Sequence, residues 1–199
     1  MDINTNMAKL NHDKEILIFE NLHLENEIAE LYSLVTSNLF PWYMTKRTLS
    51  EEQANKQEVK FDPKDFPEYD IMQHLFIGFA ENNSSAEHLA IKLLEIFSEK
   101  SGYKFNKIIR AQANYIHKKD VGLPSPPHVD DMENKHYVLL CYLNDSDGDT
   151  VMYDNDMTEV CRVSPKRGKF ILFDGSIYHS ASPPTKTNNR IVFNYNLGL

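Results

Sequence analysis

The stretch RIVFNYNL at residues 190–197 indicates most directly how the second half of the chain folds. In a β-strand, successive side chains point to opposite faces of the sheet, so this stretch presents two different surfaces. The apolar surface consists of Ile191, Phe193 and Tyr195. The other surface consists of Arg190, Val192 and Asn194. The first surface can pack on helices, whereas the second directs the Arg190 guanidinium into the interior of a barrel.

Seven more short runs of β type precede this stretch, and clusters of Pro, Gly, Asn or Asp separate them. They cover residues 107–116, 127–131, 136–144, 150–154, 158–163, 169–173 and 177–182. Eight short strands over about ninety residues, bounded by turn residues in this way, are typical of a jelly-roll barrel. The second half of the chain is therefore predicted to form such a barrel.

The first hundred residues have a mainly helical pattern instead. Helices are predicted at residues 21–38, 68–80 and 85–100. The last of these has the clearest boundaries, because Ser84 and Glu87 have the spacing of a capping box and Gly102 is a typical stop residue. Residues 46–65 are rich in polar and charged side chains and are predicted to form a loop or a mobile flap.

The expected architecture is an α+β protein with a mainly β core. That core is a double-stranded β-helix, a jelly-roll or cupin-like barrel, and it carries an N-terminal helical layer. Residues 1–103 are expected to form the helical support and the substrate-loop region, and residues 104–199 the catalytic barrel, within one compact domain. A chain of 199 residues buries roughly 70% of its unfolded surface and needs no disulfide to fold.

Composition and charge narrow the classes of function and the compartment. The 21 basic and 29 acidic residues give a net charge of −8, which disfavours nucleic acid as a partner. Cys141 and Cys161 are too few for a secreted disulfide framework. The sequence contains neither a run of 18 apolar residues nor a secretory signal pattern. We therefore expect a cytoplasmic protein that does not insert into a membrane.

Two of the eight histidines stand in a pattern that suits a metal. His128 and Asp130 are two residues apart in a predicted strand, so their side chains share one face. His179 follows much later, after the apolar run 169–173. Two imidazoles and one carboxylate form the facial triad of non-haem Fe(II) oxygenases. The His-x-Asp spacing alone is weak evidence, because a turn carboxylate that caps a loop gives the same pattern.

Arg190 adds a second constraint on the site. A buried charge without a partner costs several kcal/mol, so this guanidinium needs an anion. Its planar group suits bidentate recognition of a carboxylate, which a dicarboxylate cosubstrate would supply. Two other side chains compete for ligand roles. Asp131 is expected to point away from Asp130, and His136 is more typical of a loop histidine or of one that supports a ligand.

The pattern His128-x-Asp130, His179 and Arg190 on eight predicted strands resembles the 2-oxoglutarate/Fe(II)-dependent dioxygenase superfamily. The resemblance covers residues 107–197 and is closest to the prolyl-hydroxylase-like branch. Smaller matches are Tyr142-Leu143-Asn144, Gly148-Asp149-Thr150, the turn 163–168 with the run 170–173, and Tyr115. Two positions depart from the family: Asp149 replaces a second glycine, and Val192 stands where many relatives have Ser or Thr.

This resemblance implies a set of roles and cofactors. The Fe(II) ligands and catalytic residues would be His128, Asp130 and His179. Arg190 and Tyr142 would bind the distal carboxylate of 2-oxoglutarate, and Tyr115 would also reach this cosubstrate. With O2, such an enzyme would hydroxylate a peptidyl residue of the proline type or a small molecule, and it would release succinate and CO2. The resemblance also allows ascorbate.

Three alternatives stay open at the level of the sequence. A non-catalytic cupin-like protein could carry a vestigial metal site, although an intact triad together with Arg190 disfavours this. The same ligands could bind Zn²⁺. A nucleic-acid demethylase is disfavoured by the net charge of −8. Substrate contacts are expected in residues 40–66 and 117–127, where no recognised motif occurs, so the sequence does not identify the substrate.

Overall fold

The chain forms eleven strands and two helices within residues 4–10, 14–46, 66–67, 70–78 and 83–198, which are those that the computed structural model describes. The strands are β1 (Asn4–Leu10), β2 (Lys14–Glu20), β3 (Tyr43–Lys46), β4 (Asp70–Ile77), β5 (Lys107–His117), β6 (His136–Tyr142), β7 (Thr150–Tyr153), β8 (Glu159–Val163), β9 (Phe170–Asp174), β10 (Tyr178–Ala181) and β11 (Asn189–Gly198). The helices are α1 (Glu25–Val35) and α2 (Glu87–Ser101).

Two antiparallel sheets enclose the interior of the barrel. The larger sheet has the strand order β1-β2-β9-β6-β11-β5-β4-β3, and the smaller sheet has the order β10-β7-β8. The helices cover one face of the larger sheet through an apolar cluster that includes Phe97 and Phe193. The other face meets the smaller sheet in a second cluster, which includes Met152 and Phe173. This second face is the barrel interior, and the expected double-stranded β-helix is confirmed.

Strand β11 follows the alternation that its sequence predicts. Ile191, Phe193 and Tyr195 are fully buried in the cluster under the helices. Val192 lies in the barrel cluster, on the face that also carries the buried Arg190. Each fully buried apolar side chain of this size contributes about 1.5–3 kcal/mol, so both faces hold the strand in place. The same strand therefore belongs to the structural core and lines the barrel.

The predicted strand at 127–131 is wrong. His128 forms only an isolated antiparallel bridge with His179, although the main-chain N–H of each residue donates to the carbonyl of the other at 3.0 Å. Pro126 and Pro127 precede it, and proline supplies no N–H for a sheet ladder. Main-chain pairing at this point is therefore limited to His128, which lies beside His179 on β10.

The predicted helix at 68–80 is also wrong, because this segment forms strand β4. Its side chains are buried on both faces of the sheet: Phe76 packs under the helices and Ile71 packs in a small cluster on the barrel side. A short run that is apolar on both faces cannot be distinguished from a buried helix by its periodicity. Strands β1, β2 and β3 are further N-terminal strands that the sequence did not predict.

The helix boundaries are partly as expected. Helix α1 is shorter than the predicted 21–38 segment, because Asn21 and His23 adopt left-handed backbone angles before it. In α2 the capping box does not form: Ala86 is the N-cap residue, and the Ser84 hydroxyl accepts a 3.3 Å hydrogen bond from its N–H. Gly102 ends α2 with a φ of 79°, as predicted. Of the predicted loop at 46–65, only Lys46 lies within the described residues, at the end of β3.

Candidate active site

Three side chains that can bind a metal meet in the barrel. One ligand atom from each of His128, Asp130 and His179 lies within 4.8 Å of the other two. The Oδ1 atom of Asp130 is 3.7 Å from Nε2 of His128 and 3.9 Å from Nε2 of His179. The main-chain bridge between the histidines fixes their relative position. Two imidazole nitrogens and one carboxylate oxygen are a donor set that fits Fe(II) in a facial triad and that Zn²⁺ also accepts.

The two imidazoles are oriented by the backbone. Nδ1 of His128 is 3.2 Å from the carbonyl oxygen of Pro126, and Nδ1 of His179 is 3.1 Å from that of Ile177. A carbonyl only accepts hydrogen bonds, so in both rings Nδ1 carries the proton and donates. Each Nε2 then keeps its lone pair for a metal, as is usual where the second ring nitrogen of a ligating histidine is held by a carbonyl.

The Asp130 carboxylate is held from the opposite side. Its side chain is 3% exposed, and its Oδ2 atom pairs with Nη2 of Arg110 at 3.1 Å. The same Oδ2 accepts a 3.0 Å hydrogen bond from Nδ2 of Asn194. Nη2 of Arg110 also donates to Oδ1 of Asn196 at 3.2 Å. The carboxylate charge is thus compensated inside the protein, and one of its oxygens is turned toward the histidines.

A second polar group surrounds Arg190, which is 3% exposed. Its Nε donates to the carbonyl oxygen of Gly148, and its Nη2 donates to Oγ1 of Thr150, both at 2.8 Å. The Thr150 hydroxyl also shares a 2.6 Å hydrogen bond with the hydroxyl of Tyr142. The guanidinium lies 5.6 Å from the centroid of the Tyr142 ring. The structure therefore brings Arg190 and Tyr142 together around Thr150, with neutral hydrogen-bond acceptors for the guanidinium.

Burial dominates the electrostatics of this group. It lowers the pKa of Arg190, while Tyr142 and Asp149 act in the opposite direction. It also raises the pKa of Tyr142 to about 12, so the phenol stays protonated at neutral pH. A buried cation beside a neutral hydroxyl donor is a suitable receptor for a carboxylate, because the anion gains charge-assisted hydrogen bonds in place of an uncompensated positive charge.

The backbone around Arg190 is shaped to receive it. A Cβ atom on Gly148 would lie 2.6 Å from the carbonyl oxygen of Ser182 and 3.1 Å from Cδ of Arg190, so only glycine fits there. Asp149, which departs from the family pattern, lies 3.5 Å from Nη1 of Arg162. Substitution of the second family glycine therefore leaves the Gly148 contact intact.

Tyr115 lies elsewhere. Its side chain packs against the cluster under the helices, with its ring centroid 5.5 Å from that of Trp42. Its hydroxyl accepts a 3.1 Å hydrogen bond from Nδ2 of Asn189. This is the face of β5 that points away from the barrel, because its neighbours Ala111 and Ala113 belong to the same cluster. The structure does not bring Tyr115 to the triad or to Arg190.

The two competing residues have other partners. Asp131 accepts hydrogen bonds from the main-chain N–H groups of Glu133 and Asn134, at 2.8 and 3.1 Å, and so caps the turn after the triad. Burial raises the pKa of Asp131, but these main-chain hydrogen bonds and one from the Asn134 side chain outweigh burial, so the pKa is lowered. His136 is buried, and its Nδ1 is 2.8 Å from the Asn134 carbonyl oxygen. Neither residue belongs to the group of metal-binding side chains found in the described part of the chain.

Sequence reasoning missed three polar residues next to the triad: Arg110, Asn194 and Asn196. The alternation of β11 places Asn194 and Asn196 on the same face as Arg190, and this could have drawn attention to them. Arg110 is a charged residue in the interior of β5, opposite Asn196 in the register of β5 and β11. A charge inside a predicted barrel strand is the signal that identifies such a residue.

The fold is a double-stranded β-helix, and the donor set inside it fits a non-haem metal. Residues 113–198 match the family model of the 2OG-Fe(II) oxygenase superfamily. This match confirms the predicted resemblance. The chain is therefore an oxidoreductase, a dioxygenase that uses Fe(II), 2-oxoglutarate and O2. No curated protein sequence matches it.

Solved structures support the fold. An oxidoreductase of the 2OG-Fe(II) oxygenase family from Burkholderia pseudomallei is 15% identical, with 86% of this chain and 90% of that chain covered and a TM-score of 0.53. SnoN, a non-heme alpha-ketoglutarate-dependent epimerase from nogalamycin biosynthesis, is 12% identical, with coverages of 92% and 76% and a TM-score of 0.59. A Pseudomonas putida prolyl-4-hydroxylase is 14% identical, with coverages of 87% and 99% and a TM-score of 0.44. The first two likenesses show the shared fold.

The length and composition of the two helices bear on the expectation that the protein does not insert into a membrane. Within the described residues, neither α1 nor α2 combines the length and the apolar character that crossing a bilayer requires.

Proposed function

We propose that this dioxygenase hydroxylates a proline-like peptidyl residue or a small molecule, with His128, Asp130 and His179 as its Fe(II) ligands. The observation that carries the proposal is the pairing of two sites in one barrel. One is a cluster of two imidazole nitrogens and a carboxylate within 4.8 Å. The other is a buried guanidinium whose hydrogen-bond partners are neutral oxygens. A metal fits the first, and a carboxylate fits the second.

The spacing of these two sites suits one small dicarboxylate. Thr150, which accepts from Arg190, is two residues from Met152 on β7, and Met152 is the register partner of His179 on β10. Two residues of a strand span roughly 7 Å. We propose that Arg190 binds the far carboxylate of 2-oxoglutarate through its planar fork and that Tyr142 donates its hydroxyl to the same group. The other end of the cosubstrate then lies toward the triad.

Each protein group has a limited task in this scheme. The histidines present their Nε2 lone pairs, because their Nδ1 protons are engaged by carbonyl oxygens. Asp130 supplies one anionic oxygen. Arg190 and Tyr142 orient the cosubstrate, and the apolar barrel cluster excludes water. Bound Fe(II) supplies the oxidative chemistry, in which 2-oxoglutarate and O2 give succinate and CO2 while the substrate is oxidised.

The substrate is proposed to bind at the segments expected from the sequence, residues 40–66 and 117–127. In the described part of these segments, Tyr43, Val121 and Leu123 are exposed apolar side chains, as is Met132 just after the triad. Ser125 ties the second segment to β10, because its N–H donates to the carbonyl of Ala181 at 3.0 Å. This attachment supports a role of the segment beside the metal site.

The organisation of the chain is part of the proposal. Residues 104–199 would form the catalytic core and residues 1–103 its support, since β2 pairs with β9 and β4 pairs with β5. The free thiols of Cys141 and Cys161 support a reducing, cytoplasmic compartment.

A coupled turnover assay tests the proposal. The Fe(II)-loaded protein is given 2-oxoglutarate and a panel of proline-containing peptides, free amino acids and small metabolites, and succinate is measured together with the mass of each candidate. The expected result is succinate formation that one class of candidate accelerates, with a mass gain of one oxygen atom in that candidate. Succinate formation that no candidate accelerates would count against these substrate classes, and absence of any succinate would favour a non-catalytic metal protein.

A further inference from the structure

The two oxygens of the Asp130 carboxylate have different surroundings. Oδ2 accepts from Nδ2 of Asn194 at 3.0 Å and pairs with Nη2 of Arg110 at 3.1 Å. Oδ1 instead faces the Nε2 atoms of the two triad histidines at 3.7 and 3.9 Å. The carboxylate is therefore turned so that one oxygen belongs to the barrel wall and the other to the space between the imidazoles.

The residues that hold Oδ2 are themselves fixed by the sheet. Arg110 on β5 and Asn196 on β11 are register partners, and Nη2 of Arg110 donates to Oδ1 of Asn196 at 3.2 Å. Asn194 lies two residues earlier on the same face of β11. Asn196 is fully buried, and the Arg110 side chain is 17% exposed. Two paired central strands thus carry Arg110, Asn194 and Asn196, and their pairing fixes where these residues lie relative to Asp130.

We propose that Arg110, together with Asn194, is a positioning residue that keeps Asp130 bound to the metal through Oδ1 alone. The inference rests on the proposed function, because it assumes a metal at the triad. A carboxylate that is free to rotate can bring both oxygens to a metal. It would then occupy a coordination position that the cosubstrate or O2 requires, since a facial triad is defined by the positions it leaves open.

The positive charge of Arg110 and its hydrogen bond to Asp130 have opposite effects on metal affinity. The Arg110 cation repels a divalent metal, whereas its hydrogen bond orients the ligand for that metal. Replacing Arg110 with Met removes the repulsion and the orienting hydrogen bond together. The metal affinity of that variant therefore does not separate the two effects. Replacing Arg110 with Lys keeps the positive charge but loses the rigid planar guanidinium whose Nη2 contacts both Oδ2 of Asp130 and Oδ1 of Asn196. The lysine variant is therefore the cleaner measure of positioning.

The test uses the full-length chain without oxygen, loaded with Co(II) for visible absorption and with Mn(II) for calorimetry. The Co(II) absorption responds to coordination number and geometry, which a purely structural role would not change. Outer partners of metal ligands typically contribute about 10- to 100-fold in metal affinity. We expect Arg110→Lys to bind Mn(II) about tenfold more weakly or worse and to alter the Co(II) spectrum. Asn194→Ala, which keeps the ion pair, should change both in the same direction by less.

Arg167→Met is the matched control. Arg167 stacks on Tyr32 with its guanidinium 5.2 Å from the ring centroid, outside the barrel, and its loss should leave both readouts unchanged. Spectra and affinities equal to the wild type in Arg110→Lys and in Asn194→Ala would overturn the proposal. A failure of the proposed function has another signature, because the wild type would then bind neither metal, or would bind it equally well after His128→Ala. Thermal unfolding of the metal-free variants shows that each is folded.

Discussion

Two arginines point into the barrel, and their surroundings differ. Arg110, which is partly exposed, has a carboxylate partner in the protein itself, since its Nη2 lies 3.1 Å from Oδ2 of Asp130. Arg190 is fully buried, and it donates to the neutral oxygens of Gly148 and Thr150. A buried charge that is paired internally holds a structure, whereas one that is solvated only by neutral groups is suited to bind an external anion. The difference supports the proposed roles, in which Arg110 holds Asp130 and Arg190 binds the cosubstrate.

The largest effect is expected from removing one of the proposed metal ligands. His179→Ala removes one of two neutral nitrogen ligands, so turnover of 2-oxoglutarate in the absence of substrate should be abolished while the fold is kept. Succinate release and the far-UV circular dichroism spectrum measure the two parts of this prediction. His88→Ala changes an exposed histidine on α2 and serves as the control. Turnover that persists in His179→Ala would exclude His179 as a ligand.

The next prediction compares the two arginines directly through the stability of the metal-free protein. Arg110→Met leaves the Asp130 charge buried without a cation, and breaking such a pair costs about 3–5 kcal/mol of unfolding free energy. Arg190→Met removes a buried cation that has no internal carboxylate, so the metal-free protein should lose little stability or none. Urea unfolding of both variants measures the difference. Equal losses of unfolding free energy in the two variants would contradict the proposed difference between Arg110 and Arg190.

Cosubstrate affinity should show the reverse order of sensitivity. Arg190→Lys keeps the charge but loses a hydrogen bond to a charged group, which is worth about 1.5–3 kcal/mol. This corresponds to roughly a ten- to hundredfold weaker binding of 2-oxoglutarate. Arg190→Met should cost more, and neither change should affect Mn(II) affinity. Calorimetric titration of 2-oxoglutarate into the Mn(II)-loaded protein tests this, and unchanged affinity in Arg190→Met would remove Arg190 from the cosubstrate site.

The comparison also shows what the sequence can and cannot predict. The period-two alternation in β11 predicts both the core face and the inward direction of Arg190, because alternation follows from strand geometry alone. The spacing of His128 and Asp130 also led to the triad, but strand alternation is not the reason that they meet, because segment 127–131 is not a strand. The partner of Arg190 is less accessible to such reasoning, because Thr150 lies on a different strand and is brought close only by the closure of the barrel.

The errors have equally physical causes. The helix predicted at 68–80 is instead strand β4 over Asp70–Ile77, whose period-two signal is weak because it buries Ile71 on one face and Phe76 on the other. The link of Tyr115 to the cosubstrate comes from the resemblance alone and stays a prediction, and in the structure its ring packs against Trp42. The Arg110–Asp130 pair could not be predicted from spacing, because the two residues meet through tertiary packing of β5 against the loop that follows Pro127.

The smallest expected effect concerns the loop that leads to Arg190. Asp147 accepts main-chain hydrogen bonds from Thr185 at 3.0 Å and from Thr187 at 2.9 Å, as well as from both of their hydroxyls. Burial works against the charged form, but these hydrogen bonds lower the pKa of Asp147 well below its ordinary value of 3.8. Its folded pKa is thus depressed, so its stabilising contribution is present above that ordinary value and is lost as the pH falls toward the folded pKa.

We therefore expect Asp147→Asn to lower the free energy of unfolding by about 1 kcal/mol at neutral pH, the usual net value of a lost hydrogen bond. The difference from the wild type should shrink near about pH 3, because there Asp147 binds a proton in the unfolded chain but not in the folded protein, which lowers the stability of the wild type. Urea unfolding at the two pH values measures this, with Asp120→Asn at an exposed site as the control. Because Asp147 fixes the backbone before Arg190 and does not pair with its charge, 2-oxoglutarate affinity should fall less than in Arg190→Lys. A difference in stability that does not change with pH would show that the amide and the carboxylate hold the 185–187 turn equally well.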